Sequence, residues 1–181
     1  MLPSDNLFTK IEQKFHFQKL QWRKIFISTL TTLTMYEKIL IATDGSEPSR
    51  KAEAHGLTLA KTLGAAVTIL YVAEITHYPR VAPGSAPEVA EERIKMHKKT
   101  GEEIVGKVVE KGKEMGVKVH PVVVVGHPAN EIIEHTKGHD IVVMGTLGLS
   151  GLSHLLMGSV AEKVVRHAPV PVLVIRSKEK E

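Results

Sequence analysis

The sequence contains no cysteine, which excludes disulfides, thiolate metal centres and cysteine nucleophiles. No apolar run approaches the roughly 20 residues that cross a bilayer, so no transmembrane helix and no membrane partner are expected. The apolar stretch from Ile25 to Leu33 is broken by Ser28 and by threonines, and it lacks a small-residue cleavage site. It does not read as a secretory signal, and a cytoplasmic location is expected. No G-x-x-x-x-G-K-[ST] run is present, which excludes a P-loop. A surplus of one charge sign is also missing from most of the chain. The pI near 9.2 points at first to nucleic acid. Residues 1–34, however, hold Lys10, Lys14, Lys19, Arg23 and Lys24 against only Asp5 and Glu12. That leaves 19 basic and 18 acidic residues in 35–181, too balanced for a basic groove, and no nucleic-acid partner is expected.

Aromatic residues are scarce, at 4% of the chain, and unevenly placed. All four Phe (Phe8, Phe15, Phe17, Phe26) and the single Trp22 lie in the first 26 residues, whereas the rest builds its core from Val, Ile, Leu, Met and Ala. The chain therefore divides into an N-terminal extension, 1–34, and one domain, 35–181. The extension is disordered, or a helical interaction segment, with Ile11, Phe15, Leu20 and Ile25 loosely helix-spaced, or an upstream addition with Met35 as the true first residue. The mismatch in composition favours the last reading.

From Tyr36 onward, strand and helix patterns alternate. Lys38–Thr43 is a short apolar run suited to a strand covered on both faces. Pro48 suits the first turn of a helix reaching about Leu63, which Gly64 ends. Ala66–Val72 reads as the second strand. Pro87 to about Met115 reads as a helix in which Gly101, Gly106 and Gly112 predict bending or fraying. Val117–Val125 is the third strand, a short helix runs from Pro128 to about Thr136, and Asp140–Gly145 is the fourth strand. A helix from Ser159 to His167 precedes a fifth strand at Val170–Ile175. Strands separated by helices predict an α/β fold with a parallel sheet and right-handed crossovers.

Ligands of such sheets sit beyond the carboxyl ends of the strands, where strand order reverses. Two ends are unusual here. The first is Ala42-Thr43-Asp44-Gly45-Ser46. The second starts at Met144-Gly145, passes Gly148 and Gly151, and reaches Gly158-Ser159-Val160. Glycine lets main-chain N–H groups approach an anion, and Gly158-Ser159 stands just ahead of a helix, where unpaired N–H groups favour negative charge. Ser159 is expected as that helix's N-cap.

The spacing Gly145-x2-Gly148-x9-Gly158-Ser159, with KILIATDGS at the start and PVPVLVIR at the end, resembles the ATP-binding signature of universal stress proteins over about residues 36–176. The resemblance implies a Rossmann-like, five-stranded parallel sheet ordered 3-2-1-4-5 with helices on both faces. It implies that Ala42, Thr43 and Asp44 contact adenosine and that Val72 lines the adenine pocket. Met144 and Gly145 would meet the ribose or first phosphate. Gly148, Gly158, Ser159 and Val160 would hold the phosphate chain, with Mg2+ or Mn2+ bridging its oxygens. It also suggests a homodimer through Val170–Ile175, since an apolar edge strand needs a partner. Leu147 departs from the basic or polar residue frequent before the second glycine, and it offers no charge-assisted phosphate contact.

Plainer roles stand beside these. Asp44 also suits a turn cap, and Asp140 a local turn. The glycines could simply shape a loop, Ser150 and Ser153 read as loop polar groups, and His154 reads as an exposed loop residue. His135 and His139 do not share a helical face suited to metal, because Gly138 intervenes. Among functions, a nucleotide-dependent regulatory or stress-response protein is favoured over a slow ATPase or phosphotransferase, because the phosphate loop is poor in basic residues. A dimeric interaction module without nucleotide is the further alternative. A phosphoacceptor receiver domain is excluded, since Val124-Val125-Gly126 stands where an acid is needed.

Overall fold

The computed structural model describes residues 36–74, 87–146 and 157–176. The expectations for residues 1–34, for Leu147 and Gly148, and for Ser150, Ser153 and His154 lie outside them. The elements run β1 (Lys38–Thr43), α1 (Glu47–Leu63), β2 (Ala66–Glu74), α2 (Pro87–Met115), β3 (Val119–Gly126), α3 (Pro128–His135), β4 (Ile141–Gly145), α4 (Ser159–His167) and β5 (Val172–Ile175). All strand pairs are parallel and the order is β3-β2-β1-β4-β5, as expected. The chain leaves β1 toward β2 on one side and returns past it to β4 on the other. The reversal of strand order therefore falls between β1 and β4.

The run of Ile, Leu and Val in β1 and β4 follows from burial on both faces. Ile39, Ile41, Val67, Ile69 and Val143 face α1 and α2, joining Leu57, Val105 and Val108 in one apolar layer. Leu40, Ala42, Leu70, Val142 and Met144 face α3 and α4, joining Ala129, Ile132, Ala161 and Val164 in the other. The β1–β4 ladder covers Ile39↔Ile141 to Ile41↔Val143 and stops two residues short of both strand ends. The carboxyl ends of these central strands thus part, opening a crevice at the point of reversal.

Local chemistry sets the helix ends. Ser46 caps α1, its hydroxyl accepting the Ser49 N–H at 3.4 Å, and Gly64 at φ 68° closes the helix in the left-handed region. Three expectations are corrected. The helix α2 does not fray at Gly101, Gly106 or Gly112 but runs continuously through them. Two of these glycines serve close packing: a Cβ at Gly101 would collide with the Tyr71 ring, and one at Gly112 with Val119. The strand β5 begins at Val172 and not at Val170, because Pro171, which has no N–H, contributes only its carbonyl to Val142 N–H at 3.0 Å. Asp140 serves no local turn. Its Oδ2 accepts the N–H groups of Glu37 and Lys38, both at 2.8 Å, and so fastens the start of β1 to the start of β4.

Candidate functional site

The crevice is built from both faces of the sheet. Strand alternation sends Ala42 and Met144 toward α3 and α4, where they are 7% and 5% exposed. Val72, Met157 and Val160 pack against the same layer. Four of the expected site residues, Ala42, Val72, Met144 and Val160, therefore meet in one apolar layer at the carboxyl end of the sheet. The same alternation turns Thr43 to the opposite face. Its hydroxyl lies 2.6 Å from Glu53 Oε1 and 3.1 Å from Ser49 Oγ, both on α1. Only the backbone of Thr43 remains for a ligand in the crevice.

Gly145 has a packing reason of its own. A Cβ there would lie 3.0 Å from the carbonyl carbon of Pro48 and 3.1 Å from its oxygen, so glycine lets β4 end against the first turn of α1. Asp44, half-buried, takes the turn-capping role, its Oδ1 accepting the Ser46 N–H at 3.0 Å. Gly45 adopts φ 77°, which a side chain rarely tolerates. The Arg50 guanidinium donates to the Gly45 carbonyl and holds the turn from outside.

At the other wall, the Gly158 N–H donates to the Thr146 carbonyl at 2.7 Å, and the Thr146 N–H donates to the Ile175 carbonyl at 3.0 Å. The two ends of the glycine segment are thereby tied together beside β5. Gly158, and not Ser159, is the N-cap of α4, with φ −74° and ψ 158° and no side-chain cap. Ser159 is the first helical residue and is exposed. The first intrahelical bond runs from Glu162 N–H to the Gly158 carbonyl at 2.9 Å. The N–H groups of Ser159, Val160 and Ala161 thus have no intrahelical acceptor, and they form the positive end of the helix dipole beside the apolar layer.

Among the described residues, three titratable groups are displaced from their ordinary ranges. Burial pushes the Glu53 carboxyl up. Burial, and then the charge of Asp44, push the Tyr71 phenol up. Burial pulls the His139 imidazole down. His139 stands at the opposite end of the sheet from the crevice. Its Nδ1 lies 2.6 Å from the His135 carbonyl and must carry the proton, so its Nε2, at 2.8 Å, accepts from the Thr68 hydroxyl. Both ring nitrogens are committed, in agreement with a structural role. Among the described residues, no group of three or more His, Asp or Glu could hold a metal ion, and no helix is long and apolar enough to cross a membrane.

A shallow groove of about 440 Å³ lies elsewhere, between α1 and the edge strand, lined by Ala54, His55, Thr58, Leu59, Thr62 and Leu173. It lacks a converging set of polar groups, and the crevice at the strand ends is the stronger candidate. Sequence reasoning passed over Glu53. The signal was present: Glu53 stands at helical spacing with Ser49, Gly56, Leu57 and Ala60 on the buried stripe of α1.

Residues 35–176 match the model of the universal stress protein family. Universal stress protein MJ0531 of Methanocaldococcus jannaschii is 40% identical over 149 residues, covering 81% of this chain and 86% of that protein. The solved structure of MJ0577 from the same organism superposes with TM-score 0.64 at 31% identity, covering 81% of this chain and 99% of that one. A universal stress protein solved in complex with cAMP shares the fold at TM-score 0.60 and 24% identity, over 79% of this chain and 99% of that one.

Proposed function

The chain belongs to the universal stress protein family, and we propose that it is an ATP-binding member whose output is regulatory. One observation carries this reading: the N-terminus of α4, which no side chain caps, is tied at Gly158 to the end of β4, facing the crevice where strand order reverses. Phosphates would take the N–H groups of Ser159, Val160 and Ala161, with Gly148 and the Ser159 hydroxyl completing the cradle. The base would lie on the apolar layer formed by Val72, Ala42 and Met144. Asp44 would face the ribose, Thr43 would contribute main chain only, and Gly145 would let the backbone come close. A divalent ion, Mg2+ or Mn2+, would be held through phosphate oxygens. Adenine-nucleotide recognition is in keeping with the cAMP-bound relative. Fast phosphoryl transfer is disfavoured, because no lysine or arginine of α4 stands in its first turn.

We further propose a homodimer through β5. Its Leu173 is 36% exposed and Val165 of the adjoining α4 is 44% exposed, and among the described residues no strand pairs with the outer edge of β5.

Calorimetric titration of the full chain with Mg·ATP, AMP, cAMP and GTP tests the nucleotide reading, beside a Gly148→Val, Gly158→Val double variant. Saturable ATP binding that the variant loses supports it. A well-folded wild type that binds none of the four refutes it.

A further inference from the structure

Behind the β1–α1 turn lies a buried acid that neither wall of the crevice uses. The Glu53 side chain is only 3% exposed, and its Oε1 stands 2.6 Å from Thr43 Oγ1. Thr43 Oγ1 is in turn 3.1 Å from Ser49 Oγ. The Ser49 hydroxyl is 2.9 Å from the Ser46 carbonyl. The Gly45 N–H donates to Thr43 Oγ1 at 3.1 Å.

Each hydroxyl has a single proton to give. If Glu53 is ionised, Thr43 donates to Glu53 and Ser49 donates to the Ser46 carbonyl. The Thr43–Ser49 contact then has no proton. If Glu53 is the neutral acid, it donates to Thr43, Thr43 to Ser49 and Ser49 to Ser46, and every contact carries one proton. Only the neutral form fills the chain of hydrogen bonds that ends on the turn containing Asp44 and Gly45.

The surrounding charges are few. From α2, Lys111 approaches Glu53 Oε2 to 4.0 Å with its own side chain 54% exposed. Arg50 on α1 and Asp44 in the turn act at longer range, and Tyr71 of β2 feels Asp44. The strands β4 (IVVMG) and β5 (VLVI) contain no titratable residue. Burial is the largest influence on the carboxyl and favours the neutral form. The Thr43 hydrogen bond and the Lys111 and Arg50 charges oppose it.

We propose that Glu53, held as the neutral acid, is a positioning residue for the Asp44 turn, so that the affinity of the crevice for its nucleotide falls as Glu53 ionises. The affinity half rests on the nucleotide reading above; the positioning of the turn does not.

The test follows the Glu53 carboxyl carbon and the Gly45 amide by NMR on the full chain between about pH 4 and 9. The Kd for Mg·ATP is measured at the same pH values in the wild type and in Glu53→Gln, whose amide keeps a donor toward Thr43. The Glu53 carbon is expected to titrate above the ordinary glutamate range, with the Gly45 amide moving at the same midpoint. Both Glu53→Gln and Thr43→Val should abolish the Gly45 movement, and Thr43→Val serves if Glu53→Gln does not fold. Relative to Glu53→Gln, which retains the titration of the phosphate itself, wild-type Kd should weaken about fivefold across the Glu53 transition. A Gly45 amide that ignores Glu53, a Gly45 titration that survives Glu53→Gln, or identical Kd profiles in the two proteins would overturn the proposal. A chain that binds no nucleotide at any pH, yet whose Gly45 follows Glu53, overturns the nucleotide reading and leaves the positioning established.

Discussion

The three glycines of α2 permit a test in which one substitution changes sign with its surroundings. In an exposed helix interior, Gly→Ala stabilises by about 1 kcal/mol, because alanine has less backbone freedom to lose. A methyl group at Gly106 would meet no atom within 4 Å, so Gly106→Ala should gain that full amount. At Gly101 the methyl would enter the ring of Tyr71, itself only 6% exposed, and stand 3.0 Å from Val123. At Gly112 it would enter Val119 and stand 3.3 Å from the Val117 carbonyl oxygen. Overpacking of this kind costs about 1–3 kcal/mol. Offset against the propensity gain, this leaves Gly101→Ala and Gly112→Ala neutral to destabilising by about 2 kcal/mol. Urea unfolding of the full chain reads the three variants through their midpoints, with the slope m checked for constancy. Thermal midpoints should separate by roughly 2–4 °C per kcal/mol for a domain of this size. If all three alanines stabilise equally, α2 does not pack on β2 and β3 through its glycines, and the close-approach reasoning fails.

Three further outcomes follow from other contacts. His139 is held neutral by burial, so the unfolded chain takes up a proton at a higher pH than the folded one does. Stability should therefore fall as pH drops below about 6.5 and on through the lower folded value, and His139→Gln should flatten that part of a pH series of urea midpoints. Asp140→Ala removes the acceptor of two N–H groups at the exposed start of β1. A loss of about 1–2 kcal/mol is expected, with faster hydrogen exchange at Lys38, and unchanged exchange there would refute the clamp. Leu173→Lys places a charge on the exposed edge strand; light scattering should show a dimer in the wild type and a monomer in the variant, and a monomeric wild type refutes the pairing.

The order of elements was legible because their patterns are local. The apolar runs Lys38–Thr43 and Ile141–Gly145, Pro48 in a first turn and Gly64 at a helix end each state their role within a few residues. What the sequence could not show was the distant partner. The acceptor role of Asp140 depends on residues 102 and 103 positions away, and nothing near Asp140 marks them. Gly101 looked like a point of weakness because its reason, the Tyr71 ring, lies on the distant strand β2. The side to which Thr43 points was hidden for a related reason. A strand apolar on both faces has no alternation to reveal which side meets which helix.

The glycine spacing shows the same limit within the candidate site itself. As a pattern, Gly145, Gly148, Gly158 and Ser159 make one signature, but the residues the structure describes do different work. Gly145 suits close packing, since a Cβ there would crowd the Pro48 backbone at 3.0–3.1 Å. Gly158 spends its N–H on Thr146 and serves as a cap without a side chain. Neither needs to touch a phosphate to be required. Their joint effect is to bring the start of α4 and the first turn of α1 together at the end of β4. That places the N–H groups of Ser159, Val160 and Ala161, which lack an intrahelical acceptor, at the same end of the sheet as the turn that the buried Glu53 proton would position. On the nucleotide reading proposed above, a substitution at either glycine would disturb binding through the position of a helix, whereas contacts made by Gly148, Ser159, Val160 and Ala161 would report on the anion directly.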